Sequence, residues 1–208
     1  MRGRLITLEG VEGTGKSTQL DFVANYLRER GQKVLCTREP GGTPVGEKIR
    51  SILLDNELPA MDAETELMLM FAARTEHVNK VIQPALHSGT WVVSDRFYDA
   101  SYAYQGFGRN VSLEHIDKLR SISIGELKPD LTILLDVSLD VSAQRVAVRG
   151  NQDRFENEQH DFHTKVRNGY LQLAKLHKER IRVVDAVQSI ADVQAEIKKI
   201  LDKLIQQS

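Results

Sequence analysis

Short apolar runs alternate with longer segments of helical period along this chain. Five of these runs lack a regular polar alternation, which is typical of strands that are covered on both faces of a sheet. The pattern predicts strands at 4–9, 33–37, 91–95, 131–136 and 181–185. The segments between them predict helices at 16–30, 45–54, 63–87, 113–124, 139–149, 156–179 and 193–206.

The order of these elements predicts a doubly wound α/β fold, a five-stranded parallel sheet with helices on both faces. Gly31 marks the end of the first helix, and Asp62 and Ser112 are suited to N-cap positions. Ligands of such sheets bind beyond the carboxyl ends of the strands. We therefore expect one site to gather the loops after Glu9 and Asp95 and the irregular segments 39–44 and 149–154.

Residues 10–17 read Gly-Val-Glu-Gly-Thr-Gly-Lys-Ser, between the first predicted strand and the first predicted helix. This is the pattern of a phosphate-binding loop in the context that it requires. The glycines let successive backbone N–H groups point into one concavity, which binds oxyanions. Lys16 then reaches the β- and γ-phosphates, and the Ser17 hydroxyl ligates Mg²⁺. The residues expected to bind a nucleoside triphosphate are Gly10, Val11, Glu12, Gly13, Thr14, Gly15, Lys16, Ser17 and Thr18.

Composition narrows the function classes. The 208 residues are 41% hydrophobic and 27% charged, which fits a soluble globular domain with a full core. The net charge of −1 argues against nucleic acid as the main partner, because nucleic-acid-binding domains are usually strongly basic. The single cysteine, Cys36, excludes an internal disulfide and is expected to be a small buried core residue. No apolar run is long enough to span a bilayer, so we expect a cytoplasmic protein with no membrane partner.

Asp95 and Arg96 directly follow the apolar residues of the third predicted strand. A rigid strand that delivers a carboxylate beside the phosphate loop suits the orientation of Mg²⁺. The planar fork of Arg96 suits a substrate phosphate or the transferring group. The alternative is a local ion pair at a strand end, which the neighbouring phosphate loop disfavours.

Two further segments carry candidate binding residues. Pro40 restricts Glu39 to extended shapes, so Arg38 and Glu39 are held firmly unless this is an ordinary turn. Met70 and Arg74 are four residues apart and share a helix face. Arg74 is either a snorkelling surface residue or a base-reading donor at the floor of a pocket, and the sequence leaves both open.

The later part of the chain offers aromatic residues and more arginines. Residues 100–108 are aromatic and polar on one short turn, which suits contact with a nucleoside or simple core filling. Arg145 and Arg149 share a helix face, and Arg154 lies beyond a glycine-containing turn. These arginines form either a solvated face or a mobile lid, at about 145–156, that brings cations to the phosphates. Positions 11–14 of the phosphate loop hold no arginine, so that cation must come from elsewhere.

Together these segments resemble the bacterial thymidylate kinases over nearly the whole chain. The resemblance rests on the phosphate loop with Glu12 and on segments 37–42, 71–74, 95–97, 103–106 and 149–154. It implies a single P-loop kinase domain over 1–208 that transfers the γ-phosphoryl of ATP to dTMP, with Mg²⁺, giving dTDP and ADP for dTTP synthesis. It also implies a homodimer and an acceptor-binding region at about 38–110.

The resemblance further implies roles for individual residues. Three arginines would surround the dTMP phosphate: Arg38, Arg50 and Arg96. Five side chains would contact the nucleoside: Glu12 and Tyr104 at the sugar, and Arg74, Ser101 and Gln105 at the base. Tyr104 would disfavour a 2′-hydroxyl. Arg149 and Arg154 would supply the transition-state cation, with Lys16, Asp95 and Arg96 completing the catalytic set, and Arg145 would lie near the adenine with Val187 and Gln188.

This chain departs from the family pattern at two positions. Met70 stands where the family usually has a thymine-stacking phenylalanine, and Phe71 follows it, so either side chain could cover the base. Phe97 stands where a tyrosine or histidine is commoner. Two other functions stay open, a different nucleoside or nucleotide kinase and a GTPase-like switch. The switch is disfavoured because the guanine-reading Asn-Lys-x-Asp and an Asp-x-x-Gly are both absent from the sequence.

Overall fold

The computed structural model describes residues 2–149 and 153–206, with the side chain of Arg149 left out. Its described residues contain one sheet of five strands in the order β2-β3-β1-β4-β5, and every neighbouring pair is parallel. The doubly wound α/β class is confirmed. The strands are β1 Leu5–Glu9, β2 Val34–Arg38, β3 Trp91–Asp95, β4 Leu131–Asp136 and β5 Ile181–Asp185.

The helices surround this sheet, and most of them match the predicted segments. They are α1 Lys16–Arg28, α2 Pro44–Leu54, α3 Ala63–His77, α4 Gln83–His87, α5 Tyr98–Ser101, α6 Leu113–Ile124, α7 Leu139–Arg149, α8 His160–Leu176 and α9 Ile190–Gln206. A π-helical turn, Val78–Ile82, joins α3 to α4. Pro84 has no backbone N–H for an α-helical hydrogen bond, so the register change falls just before it.

The segment after β3 is the main departure from the predicted elements. Instead of a short turn, α5 continues into a second π-helical turn, Tyr102–Gly108. This turn packs closely against α6 and α8. A Cβ on Gly106 would lie 2.7 Å from Leu113, and one on Gly108 would lie 2.6 Å from Phe162. The glycines that permit this contact also hide the helical period in the sequence.

The prediction that every strand is covered on both faces is wrong for the two edges. β1, β3 and β4 are almost fully buried, whereas β2 is half-buried and β5 has exposed positions. An edge strand has a neighbour on one side only, so its side chains are less covered. Cys36 lies on β2 and is therefore half-buried, not a core residue as predicted.

Strand register brings the candidate residues together at the carboxyl ends of the strands. Asp95 lies opposite Leu8 of β1 and opposite Arg38 of β2, so Glu9, Arg38 and Asp95 meet there. Asp62 caps α3 as predicted, with Oδ1 accepting from two backbone N–H groups. Ser112 precedes α6 without such a side-chain bond. Across 2–149 and 153–206, none of the helices is long and apolar enough to cross a membrane.

Candidate active site

A cavity of about 600 Å³ opens at the carboxyl edge of β1, β2 and β3. The phosphate loop, the segment after β2, α3 and the segment after β3 all contribute to its wall. The sequence-predicted residues that line it are Glu12, Gly13, Gly15, Lys16, Ser17, Thr18, Arg38, Arg50, Met70, Arg74, Asp95, Arg96, Ser101, Tyr104 and Gln105. One open cavity thus unites residues from segments that lie far apart in the sequence.

The phosphate loop has the backbone shape that its glycines predict. Gly10, Gly13 and Gly15 all have positive φ angles, and a Cβ on Gly10 would lie 2.4 Å from the Leu135 carbonyl oxygen. Lys16 Nζ donates to the carbonyl oxygens of Gly10 at 3.2 Å and Val11 at 2.9 Å. The pKa of Lys16 is lowered, mainly by burial and secondly by the positive charge of Arg96. Lys16 is therefore already held inside the loop where phosphates would bind.

Asp95 ends β3 with one oxygen unsatisfied. Its Oδ1 is buried and has no hydrogen-bond partner among the described residues. A buried carboxylate oxygen without a donor is a suitable ligand for a hard divalent cation. The Ser17 hydroxyl lies on the same cavity wall. Within the described part of the chain, no group of three or more His, Cys, Asp or Glu side chains could hold a metal.

Arg96 is held in an unusual backbone conformation at the mouth of the phosphate loop. Its φ angle is 68°, and its backbone N–H donates to the Leu8 carbonyl oxygen at 3.0 Å. Nη1 donates to the Gly10 carbonyl oxygen at 3.0 Å and to the Tyr170 hydroxyl at 2.9 Å. Nη2 donates to the Tyr104 hydroxyl at 3.0 Å. The guanidinium is therefore fixed from three sides.

Glu12 completes the surroundings of Arg96. One of its carboxylate oxygens accepts from Arg96 Nη2, and the other lies 3.7 Å from Lys16 Nζ. Burial acts to lower the pKa of Arg96, but Tyr104 and Glu12 outweigh it, so the pKa lies well above its ordinary value. Arg96 is therefore a permanent cation in the cavity.

Arg74 is a buried donor, which decides between the two interpretations of its sequence position. It is 3% exposed. Its Nε donates to Glu39 Oε2 at 2.6 Å, Nη1 to Ser101 Oγ at 3.0 Å and Nη2 to the Phe97 carbonyl oxygen at 3.3 Å. The other Glu39 oxygen lies 3.0 Å from Nδ1 of the buried His77. Arg74 is thus oriented by neighbours from three segments and lines the cavity floor.

Met70 and Phe71 point in different directions from α3. Met70 lines the cavity, whereas Phe71 is 2% exposed and packs with Leu67, Val111 and Ile116. Phe71 therefore does not face the cavity, contrary to the expectation that it contacts a ligand. Adjacent positions on a helix are about 100° apart, so only one of the two can face the cavity. The Arg74 guanidinium covers the Phe71 ring from 4.6 Å.

Two more arginines stand at the rim of the cavity. Arg38 is about half exposed and pairs with Glu47 at 2.9 Å. Arg50 donates to the Pro40 carbonyl oxygen at 2.9 Å. The pKa of Arg50 is lowered, mainly by burial and secondly by the positive charge of Arg38. Two cations at the same rim favour the binding of an anion there.

The remaining predicted contacts lie on the segment after β3. Tyr104 is buried, and its ring lies 4.8 Å from the Arg96 guanidinium carbon. Gln105 Nε2 donates to Oε1 of Glu66, a fully buried carboxylate of α3, at 2.8 Å. Ser101 is buried as well and lies beside Arg74. All three therefore sit together on one side of the cavity.

The arginines of the predicted lid have separate positions. Arg154 does not line the cavity. Its side chain donates instead to Glu66 Oε2 at 2.7 Å and to the Leu53 carbonyl oxygen at 2.9 Å. Arg145 donates to the carbonyl oxygens of Gly13 and Ala186, so it connects the phosphate loop to the segment after β5. The Arg149 side chain and residues 150–152 lie outside the described residues.

Sequence reasoning missed several buried acids and one tyrosine around the cavity. Glu9 is fully buried, and its two oxygens accept from the Phe97 backbone N–H and the Tyr170 hydroxyl, each at 2.7 Å. The pKa of Glu9 is raised to about 8, mainly by burial and secondly by the negative charge of Asp99. A carboxylate at the end of a buried strand was a usable signal for Glu9, whereas Tyr170 and Glu66 have partners too distant in sequence to be paired from spacing. The sequence marked Glu39 as firmly held, but it did not show the pairing of Glu39 with Arg74 and His77.

Comparisons with known proteins agree with one another. Residues 8–197 match the family model described as thymidylate kinase. A thymidylate kinase of Nitrosospira multiformis is 54% identical over 96% of this chain and 97% of its own length. One from Pseudomonas syringae pv. tomato is 51% identical over 99% and 98% of the two chains. A crystal structure of thymidylate kinase from Ehrlichia chaffeensis superimposes with a TM-score of 0.78 at 33% identity, covering 97% of this chain and 99% of that one.

Proposed function

The chain belongs to the thymidylate kinase family, and from this premise we propose that its cavity seats ATP on the phosphate loop and dTMP opposite it. Members of the family transfer the γ-phosphoryl group of ATP to dTMP for dTTP synthesis, and this chain is such an ATP:dTMP phosphotransferase. We assign the whole of 1–208 to one P-loop kinase domain, with the acceptor bound by residues within about 38–110.

The main support for this proposal is the group of arginines that lines the cavity. Arginines from four separate segments line the same cavity as the phosphate-loop lysine, Lys16. They are Arg38, Arg50, Arg74 and Arg96. A protein that bound only a nucleoside triphosphate would not need this second cluster of cations opposite the phosphate loop. Two phosphorylated ligands that meet end to end would need it, because fixed positive charge cancels their repulsion.

In the proposed reaction the acceptor phosphate attacks the γ-phosphorus of ATP in line with the departing ADP oxygen. Arg38, Arg50 and Arg96 hold the acceptor phosphate, which is a dianion near neutral pH and needs no general base. Lys16 contacts the transferring group from the donor side. Catalysis then consists of positioning and charge neutralisation by groups already fixed in the folded protein.

The donor set of Ser17 and Asp95 fits Mg²⁺, because a hydroxyl and an otherwise unsatisfied buried carboxylate oxygen are hard ligands. When bound, this ion would supply further charge neutralisation at the phosphates. The backbone of residues 10–18 would enclose the donor phosphates, and Arg145 would lie towards the adenine, beside Val187. Since Arg154 is engaged by Glu66, we assign the transition-state cation to Arg96, and Arg149, whose side chain lies outside the described residues, remains a second candidate.

Recognition of the thymine would fall to Arg74 and its neighbours. Arg74 would donate to a base carbonyl with N–H groups that Glu39, Ser101 and the Phe97 carbonyl leave unused, and Gln105 would contact the other polar edge. Met70 would cover the ring with its thioether. Tyr104, fixed beneath Arg96, would stand where a ribose 2′-hydroxyl would clash or lose its hydrogen bonds. Glu12 would face the sugar from the phosphate loop.

We also propose a cytoplasmic homodimer with small-molecule substrates. Helices α3 and α6 pack side by side and carry large exposed apolar side chains, Met68 on α3 and Leu113 and Ile122 on α6. Exposed apolar side chains on neighbouring helices offer surface that an interface between copies of a chain would cover. Sedimentation equilibrium would return twice the chain mass of 23.5 kDa for a dimer and a single chain mass if the proposal is wrong.

Release of ADP with a panel of rival acceptors tests the function. We expect dTMP to give the highest kcat/KM among dTMP, dUMP, UMP, dCMP and thymidine. Thymidine should be inactive because it lacks the attacking phosphate, and UMP should be poor because it carries the 2′-hydroxyl that Tyr104 disfavours. Faster turnover of another nucleotide would point to a different nucleotide kinase. GTP binding without any acceptor would instead favour the switch-like alternative.

A further inference from the structure

We propose that Tyr170 of α8 is a positioning residue for Arg96, acting through its hydroxyl group. The proposal rests on the function proposed above, in which Arg96 is the cation between the two phosphates. Tyr170 lies outside every segment that the sequence motifs mark, and it is 3% exposed. Its hydroxyl nevertheless contacts the guanidinium that the reaction depends on.

The direction of the hydrogen bonds follows from the chemistry of the partners. The Tyr170 oxygen lies 2.9 Å from Arg96 Nη1 and 2.7 Å from Glu9 Oε2. A guanidinium N–H can only donate, so the hydroxyl accepts from Arg96. Its own hydrogen is then free for Glu9 Oε2. Tyr170 therefore transmits the position of Glu9, a residue at the end of the central strand β1, to the Arg96 side chain.

Glu9 holds the Arg96 segment at a second point. Its Oε1 accepts from the backbone N–H of Phe97, the residue after Arg96, at 2.7 Å. The backbone of Arg96 has a φ of 68°, which a residue with a side chain adopts only when its surroundings impose it. One buried carboxyl group thus fixes the backbone beside Arg96 directly and its guanidinium through Tyr170.

The Tyr170 ring is itself fixed by packing. It belongs to the main hydrophobic core and lies edge-on to the Tyr104 ring, with 6.3 Å between ring centroids. Tyr104 in turn accepts a hydrogen bond from Arg96 Nη2. Removing only the Tyr170 hydroxyl would keep this aromatic packing and free Nη1 from one of its acceptors. The hydroxyl and the ring can therefore be tested separately.

Tyr170→Phe is the informative variant, and Tyr26→Phe is its matched control. Tyr26 is also largely buried and donates its hydroxyl hydrogen to a carboxylate, that of Asp202, but it contacts α9 far from the cavity. We expect Tyr170→Phe to lower kcat about tenfold, the effect of one hydrogen bond to a charged group. The KM for ATP should stay within about twofold, whereas the KM for dTMP should rise because Arg96 also holds the acceptor phosphate. Tyr26→Phe should keep the wild-type kcat with a similar change in Tm.

A double-mutant cycle with Arg96→Ala separates positioning from a general structural role. If Tyr170 acts through Arg96, Tyr170→Phe should change kcat by less than about twofold once Arg96 is absent. A wild-type kcat in Tyr170→Phe, or an equal loss with and without Arg96, would overturn the inference while the wild-type enzyme still phosphorylates dTMP. A wild-type enzyme that releases no ADP in response to dTMP would overturn the proposed function, and this inference with it.

Discussion

At the scale of single residues, the cavity is organised by buried charges that each have a defined partner. Arg74 is paired with Glu39, and Arg96 is paired with Glu12 and two tyrosine hydroxyls. A buried charge is costly unless it is paired, so each pair keeps its arginine in one place. The arginines are consequently oriented before any phosphate arrives, which is the property that electrostatic catalysis requires.

Arg96→Ala tests the role of the central cation. We expect kcat to fall at least about a hundredfold, because a fixed donor at the transferring group is removed. Arg28→Ala is the control, since Arg28 is exposed on α1 and bonds only within its own neighbourhood. Coupled ADP-release kinetics, with circular dichroism to check folding, give the answer. Near-wild-type turnover in a folded Arg96→Ala protein would remove Arg96 from the mechanism.

The buried Glu9 gives a prediction for stability against pH. Its pKa rises from 4.5 in a model peptide to about 8 in the folded protein, so the folded state binds a proton that the unfolded state releases between these values. The free energy of unfolding should therefore fall as pH rises through this window, by about 1 kcal/mol per pH unit from this group. Above pH 8 the contribution should level off.

Glu9→Gln isolates this contribution because the amide keeps the shape and cannot titrate. Urea unfolding of both proteins from pH 6 to pH 9 measures it. The difference in unfolding free energy, wild type minus variant, should decrease up to about pH 8 and then stay constant. A difference that does not change with pH would show that Glu9 has the same protonation state in the folded and unfolded protein.

At the scale of elements, helix α8 and the π-helical turn Tyr102–Gly108 pack directly against each other beside the cavity. Gly169 of α8 lies under Phe107, and Gly108 lies under Phe162 of α8. This reciprocal contact holds both Tyr104 and Tyr170 against the Arg96 guanidinium. Close packing of these two elements therefore belongs to the construction of the site.

Gly169→Ala tests whether this packing outweighs helix propensity. Alanine in a helix is more favourable than glycine by about 1 kcal/mol. A Cβ at this position, however, would lie 2.6 Å from the Phe107 ring. We expect a net loss of about 1–3 kcal/mol of stability. The neighbouring exposed position supplies the control, because Asn168→Ala gains propensity without a clash and should not lose stability. A stabilised Gly169→Ala protein would contradict the packing account.

The same two elements show where sequence prediction succeeds and fails. Apolar runs located all five strands of the described sheet, since buried parallel strands leave a continuous apolar signal. The turn Tyr102–Gly108 was missed because glycines required by tertiary contacts interrupt its helical period. Sequence spacing placed Arg74 and Met70 on one helix face, but it could not show that Glu39, 35 residues away, pairs with Arg74.

At the scale of the whole molecule, the parallel sheet gathers the proposed binding groups beyond the carboxyl ends of its strands. β1 supplies the phosphate loop, β2 leads to Arg38, and β3 leads to Asp95 and Arg96. Their register places these strand ends side by side, where we expect donor and acceptor ligands to meet. The motifs predicted this gathering because each of them follows an apolar run. The engagement of Arg154 by Glu66 depends on tertiary contacts that no motif records.

The structure of the protein with a non-hydrolysable ATP analogue and dTMP bound together tests the central claim most directly. The account predicts the dTMP phosphate within hydrogen-bond distance of Arg96 and of the rim arginines, facing the γ-position of the analogue, with the thymine at Arg74. A dTMP molecule bound away from these arginines, or two phosphate groups separated by protein, would contradict it.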